Sequence, residues 1–410
     1  MKVLVIAPQP FFSERGTPIA VRRLVEALCR DGHQVDLLTY PFGEDVEIEG
    51  LTIHRCAGFP GVRRVGIGLS VGKVLTNLML MLRLWRLGEP GRYDVVHAVE
   101  ESAYGALLLR WRHRAKVVYD MDSSLAKQLA DGHAVLRPLL PVLRRIEQWA
   151  IRRADAVAPM CWELAAYAGT IRKGQDDVVV LHDVPVAMER ARRRTGPPSF
   201  HGNGAQHVAL YVGNLEPYQG VDMLLDTAAL LPAHSSVRVQ VVGGPMGQAE
   251  RLRRIARKRG LEDRIQFLGP RPLTELYDLL AGADILLSPR AKGDNTPLKL
   301  YSYMESGRPI LATRLAMHTQ VLDDSTALLV EPEAGAYAAG LLRLADDERL
   351  RRRLGNAAKL RVRCEYSPTS FHRRVRAIYS GLLPRAPEDR DAHSPGPELV
   401  LEEGTVACDA

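Results

Sequence analysis

Short runs of apolar, mostly β-branched residues alternate with helix-length stretches along this chain, lapse once, and then begin again. That rhythm leaves little choice of fold. VLVIA (3–7), QVDLLTY (34–40), VVHAV (95–99), KVVYD (116–120), AVAPM (156–160) and VVVL (178–181) read as strands. Amphipathic stretches lie between most of them, such as Ile19–Arg30, stopped by Asp31-Gly32. Near residue 184 the pattern gives way to VPVAMERARRRTGPPSFHGNGAQ, a charged, Pro- and Gly-containing connection. It restarts with HVALYVG (207–213), VRVQVVGG (237–244), RIQFLG (264–269), ADILLSP (283–289), RPILAT (308–313) and ALLV (327–330). Strands apolar on both sides need cover on both faces, and the intervening helices supply it. Each half therefore predicts a doubly wound, mostly parallel α/β domain. The divisions expected are 1–190, completed by a helix over 367–383, a linker at 191–206, a second domain at 207–366, and a flexible tail from 384 to 410. EIEGLTIHR (47–55) reads as a small hairpin.

Other classes fall away quickly. Cys29, Cys56, Cys161, Cys364 and Cys408 are far apart and form no C-x-x-C pair, which fits a reducing, cytoplasmic setting. MKVLVIAPQP turns polar too soon for a signal peptide and reads as a buried first strand. Val74–Leu87 is interrupted by Asn77, Arg83 and Arg86 and is too short to span a bilayer. The net charge of +7 permits nucleic acid, anionic lipid or phosphorylated ligands as partners without choosing among them. Dispersed arginines and sparse aromatics argue against nucleic acid.

Two such sheets in tandem place the carboxyl ends of their strands on either side of a cleft, where helix N-termini and loop amides converge on a ligand. Three segments carry candidate chemistry there. In PQPFFSERGTPIAVRRLVEAL (8–28), Gly16 allows close backbone approach and the amides near Thr17 open a helix toward negative charge. The loop is not G-x-G-x-x-G, which argues against an ordinary dinucleotide-binding dehydrogenase. In YVGNLEPYQGVDMLL (211–225), Gly213, Asn214 and Gln219 shape a platform at a helix start. In SPRAKGDNTPLKLYSYMESGRPILAT (288–313), a polar loop bears Arg290, Lys292, Asp294, Asn295 and Thr296, and a helix begins near Pro297. Asp294 can accept sugar hydroxyls, and Ser302 can donate and accept. Lys299 lies in the first turn, where the helix dipole disfavours a cation unless an anion shares the site.

With VVGGPMGQAERLRRIARKRGLEDRIQFLGPRP (241–272) and MESGRPILAT added, the chain resembles the family 4 retaining glycosyltransferases of the two-domain GT-B fold. The resemblance implies two Rossmann-like domains facing across a cleft. The second would bind a nucleoside diphosphate sugar and the first would present a hydroxyl acceptor, with no cofactor and no metal. Gly243 and Gly244 then join the donor set. The family's paired acidic residues fall on Asp294 and Ser302, and its usual Arg and Lys on Asn214 and Gln219. Arg290, Lys292 and Lys299 are the candidates for the missing charge. These departures leave open altered donor chemistry, or a silent nucleotide- or sugar-binding scaffold. In VVYDMDSSLAKQL (117–129), Asp122 occupies the place of a family His near the reacting sugar, beside Ser123; capping the next helix is the alternative. His97, Glu100 and Glu101 are the remaining acceptor-side candidates. Asp120-x-Asp122 has the literal spacing of a metal motif but lies away from the diphosphate platform.

Leu75, Leu78, Met79, Leu82 and Trp85 recur at helical spacing beside Lys73, Arg83 and Arg86, and VLRPLLPVLRRIEQWAIRRAD (135–155) repeats the basic-apolar character. Two readings stand. Either these helices cover the sheet, or they also rest on an anionic membrane surface, with a lipid-linked acceptor. The oligomeric state stays open.

Overall fold

The computed structural model describes residues 1–14, 16–62, 65, 70–132, 134–173, 177–186, 207–293 and 295–382. The expected linker, the expected tail and Asp294 lie outside the described residues.

The first half builds strands β1 (Lys2–Ala7), β2 (Gln34–Thr39), β3 (Leu51–Arg55), β4 (Val95–Val99), β5 (Lys116–Met121) and β6 (Ala156–Pro159). Its helices are α1 (Gly16–Arg30), α2 (Val71–Leu87), α3 (Ser102–Leu108), α4 (Arg110–His113), α5 (Leu125–Gly132), α6 (Leu140–Arg153) and α7 (Trp162–Arg172). The second half adds β7 (His207–Val212), α8 (Val221–Leu230), β8 (Val237–Val242), α9 (Met246–Lys258), β9 (Ile265–Gly269), α10 (Leu276–Ala281), β10 (Ile285–Ser288), α11 (Lys299–Ser306), β11 (Ile310–Thr313), α12 (Ala316–Thr319), β12 (Leu328–Val330), α13 (Ala334–Asp346) and α14 (Glu348–Glu365). A last helix, α15 (Pro368–Leu382), follows.

Both sheets are parallel, in the orders β3-β2-β1-β4-β5-β6 and β12-β11-β10-β7-β8-β9. Counted from its own first strand, each has the same doubly wound order, which reverses between the first and fourth strands. Those reversal points, β1/β4 and β7/β10, open crevices at the carboxyl ends of the strands. The two Rossmann-like domains face one another across the cleft so formed.

Strand β4 is buried along its whole length, and β1 and β5 are buried apart from their first residues, as continuous apolar runs require. One face of the first sheet packs under α2, α3, α6 and α7. On the other face Val21, Leu24 and Leu28 of α1 meet Phe371, Val375, Ile378 and Tyr379 of α15. The chain thus returns from the second domain to cover the first. Asp347 divides α13 from α14: its backbone is extended, and its carboxylate accepts Leu350 N–H at 2.8 Å as an N-cap.

The expected hairpin is not formed. Leu51–Arg55 pairs parallel to β2, from Val35↔Leu51 to Thr39↔Arg55, as a single edge strand. Gly50, at φ 84°, turns the chain into that strand. VVVL (178–181) falls short of a strand. It makes one bridge, Val157↔Val178, and runs along β6 through Val179 N–H to Val157 O and Leu181 N–H to Pro159 O.

Polar contacts cross between the halves at separate points. Ser302 Oγ accepts Val186 N–H at 2.9 Å, Gln320 Oε1 accepts Glu163 N–H at 3.1 Å, and Glu14 Oε2 accepts Leu273 N–H at 3.0 Å.

Candidate active site

On the second domain's side of the cleft, the end of β7 and the start of α11 converge. The Lys299 ammonium donates to Gln219 Oε1 at 3.1 Å and lies 3.9 Å from the centre of the Tyr211 ring. Tyr211 donates to Asn214 O at 2.6 Å, which folds the loop after β7 back on its strand. Burial, and then the positive charge of Arg290, push Lys299 well below the usual lysine range. Among the described residues this half-buried cation meets a neutral amide and a ring face and no carboxylate, which leaves it short of negative charge.

The glycines here are close-contact positions. A Cβ on Gly213 would lie 2.9 Å from Lys299 Nζ, and one on Gly244 would lie 2.4 Å from Leu215 Cγ. A Cβ on Gly243 would press on the Gly213 carbonyl oxygen at 2.0 Å. Asn214 turns inward, its amide donating to Tyr218 Oη at 3.3 Å and its Oδ1 accepting Glu216 N–H at 3.3 Å.

Arg290 is buried and shapes the next loop. Its guanidinium donates to Lys292 O at 3.0 Å, Asn295 O at 3.0 Å and Asn295 Oδ1 at 2.7 Å, and stacks 5.2 Å from the Tyr218 ring centre. Lys292 is exposed, and Thr296 is buried. Ser302 does not line the open cleft as the ribose contact expected of it. It is 7% exposed and its hydroxyl holds Val186 N–H, because this face of α11 packs on the segment crossing between domains.

The first domain presents carboxylates. Glu100 and Glu101 follow β4, Asp120 and Asp122 end β5, and Asp183 follows the stretch beside β6. Burial first, then Asp120, Glu100 and Asp183, raise Asp122 well above the usual carboxylate range, opposed by a hydrogen bond from Thr17 at the start of α1. Glu100 is pushed up to about 7 by burial and by Glu101, and Asp183 to about 7 by burial and by Asp120. Glu101 is anchored by Lys73 Nζ at 2.6 Å and Asn77 Nδ2 at 3.3 Å, both from α2. Space is open where a Cβ on Gly16 would lie, and Ser123 is partly buried beside Asp122.

His97 stands behind that edge. It is fully buried, with Nδ1 2.9 Å from Tyr379 Oη and Nε2 3.3 Å from Asp120 Oδ2. It ties α15 to the sheet and backs Asp120 of the acidic edge from within. Sequence reasoning missed Asp120 and Asp183 as members of this acidic edge. An acid within two residues of the end of each of three apolar runs was the available signal.

Among the described residues, no group of three or more His, Cys, Asp or Glu side chains comes together to hold a metal ion. In the first domain, residues 15–183 match the "Glycosyl transferase 4-like domain" model, and in the second, residues 197–361 match "Glycosyl transferases group 1". A D-inositol 3-phosphate glycosyltransferase of Corynebacterium efficiens is 32% identical over 387 residues, covering 86% of this chain and 87% of that protein. The chain belongs to the GT-B-fold glycosyltransferases. The like-named protein of Corynebacterium glutamicum is 31% identical to this glycosyltransferase over 215 residues, about half the length of each. Among solved structures, sucrose-phosphate synthase of Thermosynechococcus elongatus superposes with a TM-score of 0.74 at 21% identity, over 93% of this glycosyltransferase and 98% of that chain.

The raised carboxyls have a consequence for stability. In the unfolded chain Asp183 ionises near its ordinary 3.8, whereas in the fold it holds its proton to about 7. Its contribution is therefore fully present below pH 3.8 and is lost as pH rises through about 7. Asp183→Asn is expected to stabilise the protein by roughly 1–3 kcal/mol at pH 8 and little at pH 4. Thermal unfolding at the two pH values checks this, and an equal shift at both would refute it.

Proposed function

We propose that this chain is a retaining, metal-independent family 4 glycosyltransferase that transfers a sugar from a nucleoside diphosphate sugar to a hydroxyl acceptor. The observation that carries the reading is the half-buried Lys299 ammonium at the β7/β10 reversal point, beside Gln219 and beneath Gly213, with no carboxylate paired to it among the described residues. A diphosphate leaving group supplies that missing charge, and helix amides with a fixed cation stabilise it as the glycosidic bond breaks. Retention rests on the family resemblance. Asp294 is assigned the hydroxyls of the transferred sugar.

On the opposite edge Asp122 orients the acceptor hydroxyl, with Ser123, Glu100 and Glu101 around it. The matched relatives are named for D-inositol 3-phosphate. Here the acceptor edge is acidic, and its Lys73 is engaged by Glu101. Raised carboxyls hold protons and can accept from and donate to hydroxyls, so we assign a hydroxyl acceptor, lipid-linked, in glycolipid, polysaccharide or glycoconjugate assembly at the cytoplasmic membrane face.

Ser302, engaged with Val186, favours a second reading of altered donor chemistry, because the ribose lacks its usual carboxylate contact. A panel of nucleoside diphosphates and nucleotide sugars screened for thermal stabilisation separates the two by base. The stabilising donor should turn over in EDTA, and Asp294→Ala should lower that turnover by about tenfold, the worth of a charge-assisted hydrogen bond. Stabilisation without turnover would mark a silent scaffold. No stabilisation by any member of the panel ends the transferase reading.

A further inference from the structure

Helix α2 is apolar on two opposite sides. Thr76, Leu80, Leu84 and Leu87 face the core, while Val71, Val74, Leu78, Leu82 and Trp85 form a second stripe that is 44–76% exposed. Leu78 and Leu80, two residues apart, point about 200° away from each other. A helix that merely covers a sheet needs only the first stripe. The second continues onto the neighbouring helices. The Trp85 ring meets Trp111 edge-on at 5.4 Å, and Arg112 lies 5.5 Å over Trp85. Leu108 and Trp111 are each 65% exposed, and Leu139, Val142 and Ile146 are exposed at and along α6. Since α2, α3 and α6 back onto one core, these side chains share the outer surface of one layer.

The exposed charge carried by these helices is basic. The sequences of α2 and of 102–116 contain no acid, and 134–153 contains only Glu147, which is buried and accepts from Ser124 and Ala126 N–H. Arg86, Arg114, Arg137, Arg144 and Arg145 are exposed. Apolar side chains with paired tryptophans, ringed by arginine, match the boundary between anionic headgroups and acyl chains. Among the described residues no helix is long and apolar enough to cross a membrane, so the contact is peripheral.

We propose that the outer face of α2, α4 and α6 docks on an anionic lipid bilayer. Its position adds meaning. Helix α2 begins at the acceptor edge, where Lys73 and Asn77 hold Glu101, and the exposed Val71 and Val74 lie in the same turns of the helix. A lipid-linked acceptor then reaches that edge along the bilayer surface. This last step rests on the transferase reading, whereas the docking does not.

Co-sedimentation with vesicles of phosphatidylcholine, alone or mixed with phosphatidylglycerol, tests the face. The protein should bind the mixed vesicles at low salt and release as salt rises. Leu78→Glu/Leu82→Glu should lower partitioning at least about tenfold while leaving thermal stabilisation by nucleoside diphosphate unchanged. If that pair lowers the melting temperature, Trp111→Glu carries the same test from an independent, more exposed position. The proposal is overturned if the parent protein ignores mixed vesicles at low salt, or if the variants bind them as well as the parent. It is also overturned if the variants only convert an oligomer to a monomer. Vesicle binding with no response to any nucleotide would preserve the docking and remove the transferase reading.

Discussion

With methionine in place of Lys299, nucleoside diphosphate binding is expected to weaken about 100-fold, which corresponds to roughly 2.7 kcal/mol. Methionine keeps most of the side-chain length beneath Gly213 and against the Tyr211 ring, so the packing of the β7 end should survive. What disappears is the positive charge. Its effect is large because the ammonium is partly shielded from water and the positions that usually flank a diphosphate in this family carry Asn214 and Gln219. The nearby Arg290 guanidinium is committed to Lys292 O and to Asn295 O and Oδ1, so moving it toward the diphosphate costs those bonds. The same charge makes binding pH-dependent. Burial holds the free protein's Lys299 well below its ordinary value, and an adjacent diphosphate raises it again. Between those two values binding takes up a proton, so affinity must fall as pH rises. Calorimetry in buffers of different ionisation enthalpy should show proton uptake by the parent protein and not by Lys299→Met. An unchanged dissociation constant in the variant would remove Lys299 from the donor site.

The two sheets are legible in the sequence because buried parallel strands leave a signal that survives without tertiary information: long apolar runs at helix-length intervals. Parity along a strand is also legible. In β4, Val95, His97 and Val99 alternate with Val96 and Ala98, and the first set shares its face with α15. A histidine between two residues of that set turns to the same face, where Nδ1 meets Tyr379 and Nε2 meets Asp120. Ser302 misleads for a different reason. The family spacing fixes its position on α11, but the side it presents depends on where the crossing segment at Val186 runs. Helix α2 is ambiguous in principle. A helix apolar all round has no unique inward stripe, so spacing groups Leu75 and Met79 with Leu78, whereas the exposed stripe runs through Val71 and Val74. The acids at the ends of β5 and beyond β6 gather only because parallel strands align their carboxyl ends, a consequence of topology that single segments do not announce.

Gly243→Val is expected to cost at least about 3 kcal/mol of stability and to abolish the nucleotide response with it. Gly243 sits at φ 118°, a conformation that L side chains rarely adopt, and its N–H donates to Gly269 O at 2.8 Å, so the backbone is fixed there. Any Cβ would meet the carbonyl oxygen of Gly213 at 2.0 Å, and a backbone atom cannot rotate away as a side chain could. Relief requires the ends of β7 and β8 to part. That carries Gly213 away from Lys299 and lets water reach the ammonium. Destabilisation and loss of donor binding should therefore appear together, in thermal unfolding and in nucleoside diphosphate titration. Gly247→Ala is the control: it lies exposed near the start of α9 with nothing within 4 Å of an added Cβ, and should be neutral or slightly stabilising. A Gly243→Val protein that melts and binds like its parent would mean that the two strand ends are not held in register, and the donor platform built on them would fall with that contact.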